Sequence, residues 1–230
     1  ASGIYNDSIA EFVLFCILSH AKQRRLLESQ QRNHEWRHAT SATVKESNAV
    51  IYGVGSIGRT VGKTLTKLGL HVRGIDPYTS VAEGFECIYR NADMREAAAW
   101  SDYFIICAPL TEQTRHSVNA EIFDAMKASC HVINVGRGPI IDETALVQAL
   151  TSGSIGSASL DVFETEPLPS DNPLWEMENV HISPHISGDA GDFELALIRQ
   201  FADLADMWFH GHDFPSAVDK KRGYAHTRQN

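Results

Sequence analysis

Short apolar runs of four or five residues recur along this chain, separated by stretches of about ten residues with helical periodicity. The clearest runs are residues 49–53, 71–75, 103–107 and 131–135. They are apolar almost throughout rather than alternating, as expected for strands that are covered on both faces. Strands that alternate with helices predict βαβ units. The expected fold is therefore α/β, with a doubly wound parallel sheet.

The remaining elements follow from the same patterns. Weaker strands are predicted near residues 86–89, at 157–161 and at 180–183. Helices are predicted at residues 6–31, 56–69, 92–100, 120–127, 143–150 and 192–209. Residues 39–47 are small and polar, which indicates a linker between the first helix and the first strand.

Composition excludes several classes of function. The 230 residues are 43% hydrophobic, which is enough to bury a core, and carry a formal net charge of −9. That negative charge argues against binding of nucleic acid or an anionic membrane through a broad positive surface. No apolar run approaches the roughly 20 residues of a membrane span, and the first residues lack a secretion signal. We expect a cytoplasmic protein.

No metal site is predicted. The cysteines have no zinc-type spacing, and three of the four lie in or beside apolar runs, so we expect reduced, buried thiols: Cys16, Cys87, Cys107 and Cys130. We interpret His20, His34 and His38 as packing or surface residues.

Three glycines predict a dinucleotide site. Gly53, Gly55 and Gly58 follow a predicted strand and open a predicted helix. The first glycine permits a tight turn, the second lets the backbone approach a pyrophosphate, and the third lets helix and strand pack closely. The helix N-terminus then offers free N–H groups to the phosphates. Asp76 lies 18 residues past Gly58, where a carboxylate can bind the adenosine ribose.

Asp76 also bears on the choice of cofactor. Its carboxylate would repel a 2′-phosphate, and the residues that follow, Pro77 and Tyr78, are not arginines. This favours NAD over NADP. Arg59 and Arg73 are close enough in sequence to keep NADP open.

Polar segments follow three later strands, where open α/β sheets bind their ligands. Each supplies a group suited to a 2-oxo acid. Arg137 offers a planar cationic fork for a carboxylate, His185 can protonate a carbonyl oxygen, and Glu166 can orient the His185 ring. Any one of them alone is common in loops and salt bridges. Their joint occurrence after a dinucleotide site favours catalysis.

With these motifs the sequence resembles the D-isomer-specific 2-hydroxyacid dehydrogenase family. The likeness covers nearly the whole chain. It is carried by residues 6–12, 53–58 with Asp76, 107–114, 134–142, the D-V-F-x-x-E-P segment, the Pro-His-Ile segment and residues 218–224. The resemblance implies a Rossmann-type NAD-binding domain. It assigns substrate binding to Arg137, acid/base catalysis to His185 and its support to Glu166 rather than Glu164.

The resemblance also implies the cofactor contacts, the partners and the domain boundaries. Asp161 would lie near the nicotinamide carboxamide. With the three glycines and Asp76, the NAD contacts are Ser56, Ile57, Pro77, Ala108, Pro109, Thr114, Val135, Gly136, Arg137, Asp161, His185 and Ser187. The implied partners are a small 2-oxo or 2-hydroxy acid and a second copy of the chain. The expected units are an interdomain helix region (1–38), the NAD-binding domain (39–190) and a C-terminal helix and tail (191–230).

Departures from the family pattern leave other functions open. In the family a small domain precedes the interdomain helix, so we expect the substrate domain to be largely absent, which leaves open whether the chain is active alone. The segment 187–192 lacks a threonine that many members carry after the histidine. A second hypothesis is an NAD(H)-sensing or corepressor-like module without turnover. A third, an NAD-dependent enzyme of another class such as a hydrolase, fits the glycines but not the later segments.

Overall fold

The fold is built around one seven-stranded parallel sheet. The computed structural model describes residues 3–191, 193–212, 218–219 and 224–225. Its strands are β1 (Asn48–Tyr52), β2 (His71–Ile75), β3 (Cys87–Tyr89), β4 (Tyr103–Ile106), β5 (His131–Asn134), β6 (Ser157–Leu160) and β7 (Val180–Ile182). They lie in the order β3-β2-β1-β4-β5-β6-β7, and every neighbouring pair is parallel. The doubly wound α/β prediction is confirmed.

Helices cover both faces of the sheet. They are α1 (Asn6–Ala21), α2 (Arg24–Arg32), α3 (Ser56–Lys67), α4 (Met94–Trp100), α5 (Ala120–Ala125), α6 (Glu143–Ser152) and α7 (Phe193–Phe209). On one face, α1 and α3 pack together through a cluster that includes Val13, Ile17 and Leu65. On the other face, α4, α5 and α6 pack through Phe123 and Leu146 among others. Because both faces are covered, the central strands are apolar throughout.

The strand order creates a crevice at the carboxyl edge of the sheet. From β1 the chain runs outward through β2 to β3, then returns to β4 on the other side of β1. The loops after β1 and β4 therefore diverge at the point where the winding reverses, which is where open α/β sheets bind their ligands. The register aligns Ile51 with Ile105 and Ile105 with Ile133, so the strands end level with one another.

The helix predicted over residues 6–31 is two helices, so that prediction was wrong in its middle. Gln23 stands between them with φ 53°, in the left-handed region. A residue in that conformation cannot continue a right-handed helix, so the chain turns there. The periodicity of α1 reflects real burial, whereas none of the side chains of α2 is buried.

The C-terminal helix leaves its apolar side chains uncovered in the described structure. None of the residues of α7 is buried, and Leu195, Ile198 and Phe201 are among its exposed apolar side chains. Residues 218–219 pair with 224–225 as a short antiparallel ladder. The rest of the predicted tail motif lies outside the described residues. Among the described helices, none has both the length and the apolarity to cross a membrane. The predicted domain boundaries stay a prediction.

Candidate active site

In the glycine-rich segment after β1, two of the three glycines pack closely against other backbone atoms, and the third faces open space. Gly53 has φ +96°, and a Cβ there would lie 2.6 Å from Cα of Ala108. A Cβ on Gly58 would lie 2.0 Å from the carbonyl oxygen of Gly53. A Cβ on Gly55 would meet no atom within 4 Å. The two outer glycines thus let the loop pack, while the backbone at Gly55 faces open space.

Helix α3 begins directly from this loop. Gly55 is its N-cap residue and offers no side-chain oxygen to the first-turn N–H groups, which leaves them available to an anion. Asn6 Nδ2 donates to Ser56 Oγ at 2.7 Å, which ties the start of α1 to the loop. An exposed backbone at Gly55 beside an uncapped helix N-terminus fits a pyrophosphate. The residues present therefore fit a dinucleotide.

Asp76 joins the ends of β1 and β2. Its Oδ2 accepts a hydrogen bond from Val54 N at 3.0 Å, and its Oδ1 accepts from Tyr78 N and Thr79 N at 2.8 Å each. Arg90 Nη1 donates to the Asp76 carbonyl oxygen at 3.1 Å. The carboxylate is half-buried and has further lone pairs beyond those three bonds, so it can still accept from a ribose hydroxyl. Pro77 is exposed beside it.

Arg59 and Arg73, which left NADP binding as an alternative, contact residues other than Asp76. Arg73 lies over the Trp100 ring, 3.8 Å from its centroid, and donates to Tyr89 Oη at 3.0 Å. Arg59 Nε donates to the Val54 carbonyl oxygen at 3.2 Å. Neither guanidinium is held toward the Asp76 carboxylate by a hydrogen bond in the described structure.

The turn after β4 packs against the glycine loop. Ala108 is the residue that Gly53 approaches. Thr114 Oγ1 donates to the Pro109 carbonyl oxygen at 2.7 Å and accepts from Thr111 N at 2.8 Å, so this side chain braces the turn. The predicted contacts Ala108, Pro109 and Thr114 therefore border the crevice between β1 and β4.

Arg137 follows β5 on a loop held by a buried amide. Asn134 Oδ1 accepts from Gly136 N at 3.1 Å, and its Nδ2 donates to the Arg137 carbonyl oxygen at 3.2 Å. A Cβ on Gly138 would lie 1.9 Å from the backbone of Phe163, so this loop packs against the segment that follows β6. Arg137 itself is exposed, and its Nη1 donates to the Gly136 carbonyl oxygen at 2.7 Å.

His185 and Glu166 are in contact. His185 Nδ1 lies 2.8 Å from Glu166 Oε2, and Phe163 N donates to Glu166 Oε1 at 3.0 Å. The two side chains are 48% and 36% exposed, so the pair can meet a ligand. A ring whose Nδ1 donates to a carboxylate presents Nε2 outward. This arrangement is a hydrogen-bonded acid/base pair.

Glu164, only two residues away, points elsewhere. Its Oε1 lies 2.9 Å from His116 Nε2 and accepts from Glu143 N at 3.1 Å. Glu164 thus ties its loop to the start of α6. The two glutamates of the D-V-F-x-x-E-P segment have separate partners, and only Glu166 contacts His185.

Asp161 is fully buried at the end of β6. Its carboxylate accepts hydrogen bonds from Ser183 Oγ at 2.6 Å, Ile186 N at 2.9 Å and Ser187 N at 2.8 Å. Burial acts to raise the pKa of Asp161, but the hydrogen bonds from these residues outweigh it and lower that pKa below its ordinary value. The carboxylate is therefore ionised.

The predicted residues gather along one edge of the sheet, after β1, β2, β4, β5, β6 and β7. Val135 and Ser187 are buried within it, and Ile57 is half-buried in the first turn of α3. Sequence reasoning missed Asn134 and Ser183 as supporting residues. A buried polar residue at the end of an apolar strand was the available signal for Asn134. Ser183 had none, because its partner Asp161 is distant in sequence.

The comparison with known proteins identifies the family of the chain. A family model described as D-isomer specific 2-hydroxyacid dehydrogenase, NAD binding domain, matches residues 14–187. The chain belongs to this family. The matched domain of the D-isomer specific 2-hydroxyacid dehydrogenases is the one that binds NAD, and the match spans the glycine loop.

Curated relatives of this chain include a reductase of a small 2-oxo acid. The chain is 34% identical to a glyoxylate reductase from Thermofilum pendens, over 80% of this chain and 57% of that protein. The chain therefore spans little more than half the length of that relative.

Solved structures share the fold. A D-isomer specific 2-hydroxyacid dehydrogenase from Xanthobacter autotrophicus Py2, in complex with NADPH and MES, matches with a TM-score of 0.87 and 35% identity, covering 96% of this chain and 90% of that one. An NADPH-dependent glyoxylate/hydroxypyruvate reductase from Sinorhizobium meliloti, in complex with NADP and sulfate, matches with a TM-score of 0.89 and 30% identity, covering 97% and 72%.

Proposed function

We propose that this chain is the NAD-binding part of an oxidoreductase that interconverts a 2-oxo acid and a D-2-hydroxy acid. The observation that carries the proposal is the 2.8 Å contact between His185 and Glu166 at the ligand-binding edge of the sheet. Arg137 follows the next strand but one at the same edge. A dinucleotide site, an acid/base pair and an exposed guanidinium are the groups that such a reaction needs.

Each side chain has a defined task in the proposed reaction. The carbonyl carbon of the 2-oxo acid would be reduced by a hydride, which NADH would supply when bound. As the carbonyl π electrons move to oxygen, His185 donates the proton at Nε2 that completes the hydroxyl group. Glu166 accepts the Nδ1 proton of the same ring and holds its tautomer. Arg137 binds the substrate carboxylate and draws negative charge toward itself.

The substrate is a small 2-oxo acid. Relatives named for glyoxylate, hydroxypyruvate and 3-phosphoglycerate support this class. Arg137 provides the part of recognition that all these substrates share, a carboxylate beside the reacting carbon.

NAD is proposed as the preferred cofactor over NADP. The Asp76 carboxylate, at the end of β2, disfavours a 2′-phosphate, and Arg59 and Arg73 are occupied by other partners. Both solved structures described above hold NADPH or NADP, so the two cofactors are compared directly. Parallel fluorescence titrations with NADH and NADPH should give a lower Kd for NADH. An equal or lower Kd for NADPH would contradict this assignment.

The proposal is tested by NADH oxidation against a panel of 2-oxo acids: glyoxylate, hydroxypyruvate, pyruvate and branched-chain analogues. We expect His185→Ala to lower kcat by about 10²- to 10⁴-fold, since general acid catalysis contributes that much, while NADH binding is retained. His34→Ala, at an exposed histidine outside the site, is the matched control.

Two outcomes would redirect the proposal. NADH binding without oxidation of any substrate would favour the alternative of an NAD(H)-sensing or corepressor-like module. Absence of NADH binding would contradict both. The homodimer and the cytoplasmic location stay predictions.

A further inference from the structure

Asp161 makes four hydrogen bonds with the segment that carries His185. Three run to its carboxylate, from Ser183 Oγ, Ile186 N and Ser187 N. The fourth runs from His185 N to the Asp161 carbonyl oxygen, at 2.9 Å. Residues on both sides of His185 are thus fixed to one buried side chain.

The backbone at His185 needs such support. Its φ is 56°, in the left-handed region that residues other than glycine adopt only at a cost in free energy. Without the bonds at Ile186 and Ser187, the segment could relax to an ordinary conformation. The ring would then leave Glu166 Oε2.

We propose that Asp161 is a positioning residue for the hydride-transfer reaction, holding the His185 ring against Glu166 through residues 183–187. This inference rests on the proposed function. Asp161 is fully buried and its carboxylate is directed at the loop, so it acts through His185 rather than by touching the substrate.

The role requires a carboxylate rather than an amide. Asp161 Oδ1 accepts two hydrogen bonds and Oδ2 accepts one, so both oxygens serve only as acceptors. An asparagine would turn an NH2 group toward at least one of those donors, and the loop would lose a bond on that side. Asp161→Asn therefore keeps the volume of the side chain while removing part of the loop's support.

The test is the tautomer of the His185 ring, read from its ring ¹⁵N chemical shifts at mildly alkaline pH in the full chain. The resonance is assigned by its loss in His185→Gln, and Glu166→Gln gives the shifts of a ring without its carboxylate partner. Asp102→Asn is the matched control, because Asp102 also accepts a backbone N–H, from Asn48, but lies at the opposite edge of the sheet.

We expect Asp161→Asn to move the His185 shifts at least half of the way to the Glu166→Gln values, and Asp102→Asn to leave them unchanged. Ser183→Ala, which removes one bond of the three, should move them in the same direction by a smaller amount. Wild-type shifts in a folded Asp161→Asn would overturn the inference. If that variant does not fold, wild-type shifts in Ser183→Ala would do so.

Kinetics add a second readout. Where the wild-type chain oxidises NADH, Asp161→Asn should lower kcat on the order of 100-fold, as misplaced catalytic groups do, with a much smaller change in the KM for the 2-oxo acid. A proportional rise in KM with kcat intact would count against a positioning role. If the wild-type chain oxidises no NADH, the proposed function fails, whereas the ring shifts still decide whether Asp161 positions His185.

Discussion

Gly55 precedes helix α3 and Gly58 lies in its first turn, and a methyl group would have opposite consequences at the two positions. At Gly58 it would lie 2.0 Å from the Gly53 carbonyl oxygen, a backbone atom that cannot move aside cheaply. At Gly55 it would meet nothing within 4 Å. In the proposed function, a bound pyrophosphate occupies the space near Gly55.

The first prediction compares these two substitutions. Gly58→Ala should lower the free energy of unfolding by about 1–3 kcal/mol, the usual cost of overpacking, and should weaken NADH binding. Gly55→Ala should unfold like the wild type but bind NADH at least about tenfold more weakly, equal to about 1.4 kcal/mol. Urea unfolding and NADH fluorescence titration measure the two effects. Undiminished NADH affinity in Gly55→Ala would place the pyrophosphate elsewhere.

The second prediction concerns Asn134, which precedes the turn that carries Arg137. Its side chain is fully buried and makes two hydrogen bonds that shape the turn before Arg137. Asn134→Ala should cost about 1–3 kcal/mol of stability, because a buried donor and a buried acceptor lose their partner. It should also raise the KM for the 2-oxo acid, since the position of Arg137 depends on the turn. Asn179→Ala, which removes hydrogen bonds to Leu150 and Gly156 carbonyl oxygens, is the control. An unchanged KM would contradict the coupling.

Sequence reasoning predicted that Arg137, Glu166 and His185 would lie at one edge of the sheet because each follows an apolar strand, and parallel strands end at one edge. It could not predict which glutamate meets His185 from geometry, since Glu164 and Glu166 are two residues apart. Nor could it predict that the Asp161 carboxylate would accept hydrogen bonds from Ser183, Ile186 and Ser187. Those contacts depend on how the loop after β7 folds over the end of β6.

At the scale of elements, α1 is joined to the sheet by a stack of imidazole rings. His20 of α1 lies 4.4 Å from the buried ring of His131 in β5, measured between centroids. Ser157 and Ser159 of β6 supply hydroxyl partners to the two nitrogens of His131, at 2.6 and 3.0 Å. Burial lowers the pKa of His131 to about 3, with His20 and His181 nearby adding to the effect.

The third prediction follows from that pKa. In the unfolded chain His131 binds a proton below its ordinary pKa of 6.5, whereas in the folded chain it stays neutral down to about pH 3. The unfolded state therefore binds more protons in this window, so stability falls as pH falls, by up to about 1.4 kcal/mol per pH unit from this residue. The slope of unfolding free energy against pH should be shallower in His131→Gln. An equal slope in wild type and variant would contradict the prediction, and His34→Gln is the exposed control.

Most strands and helices were predictable from the sequence, and the error in the first helix has a physical cause. Apolar runs and glycine positions marked β1, α3 and β2 to within a residue or two. The break at Gln23 was not predictable, because glutamine is a good helix former and carries no signal for the left-handed region. Gln23 Nε2 donates to the Thr40 carbonyl oxygen at 2.6 Å, a tertiary contact that no local pattern reveals.

For the whole molecule, exposed apolar surface concentrates on α7. Leu195, Ile198, Phe201 and Phe209 are between 49% and 83% exposed. Exposed apolar patches of this kind mark interaction sites. Our fourth prediction is that the chain self-associates into a dimer, as its family resemblance implies. Sedimentation velocity over a range of concentrations should show a species of twice the chain mass, and a monomer at every concentration would contradict it.

The central claim is that one dinucleotide spans the crevice, with its pyrophosphate at the N-terminus of α3 and its nicotinamide beside His185 and Arg137. A crystal structure of the full chain with NADH bound tests it most directly. We expect the phosphates to lie against the backbone at Gly55 and Ser56, and the nicotinamide ring to contact the His185 side of the crevice. Phosphates bound away from that loop, or a nicotinamide on the far side of the sheet from His185, would contradict it.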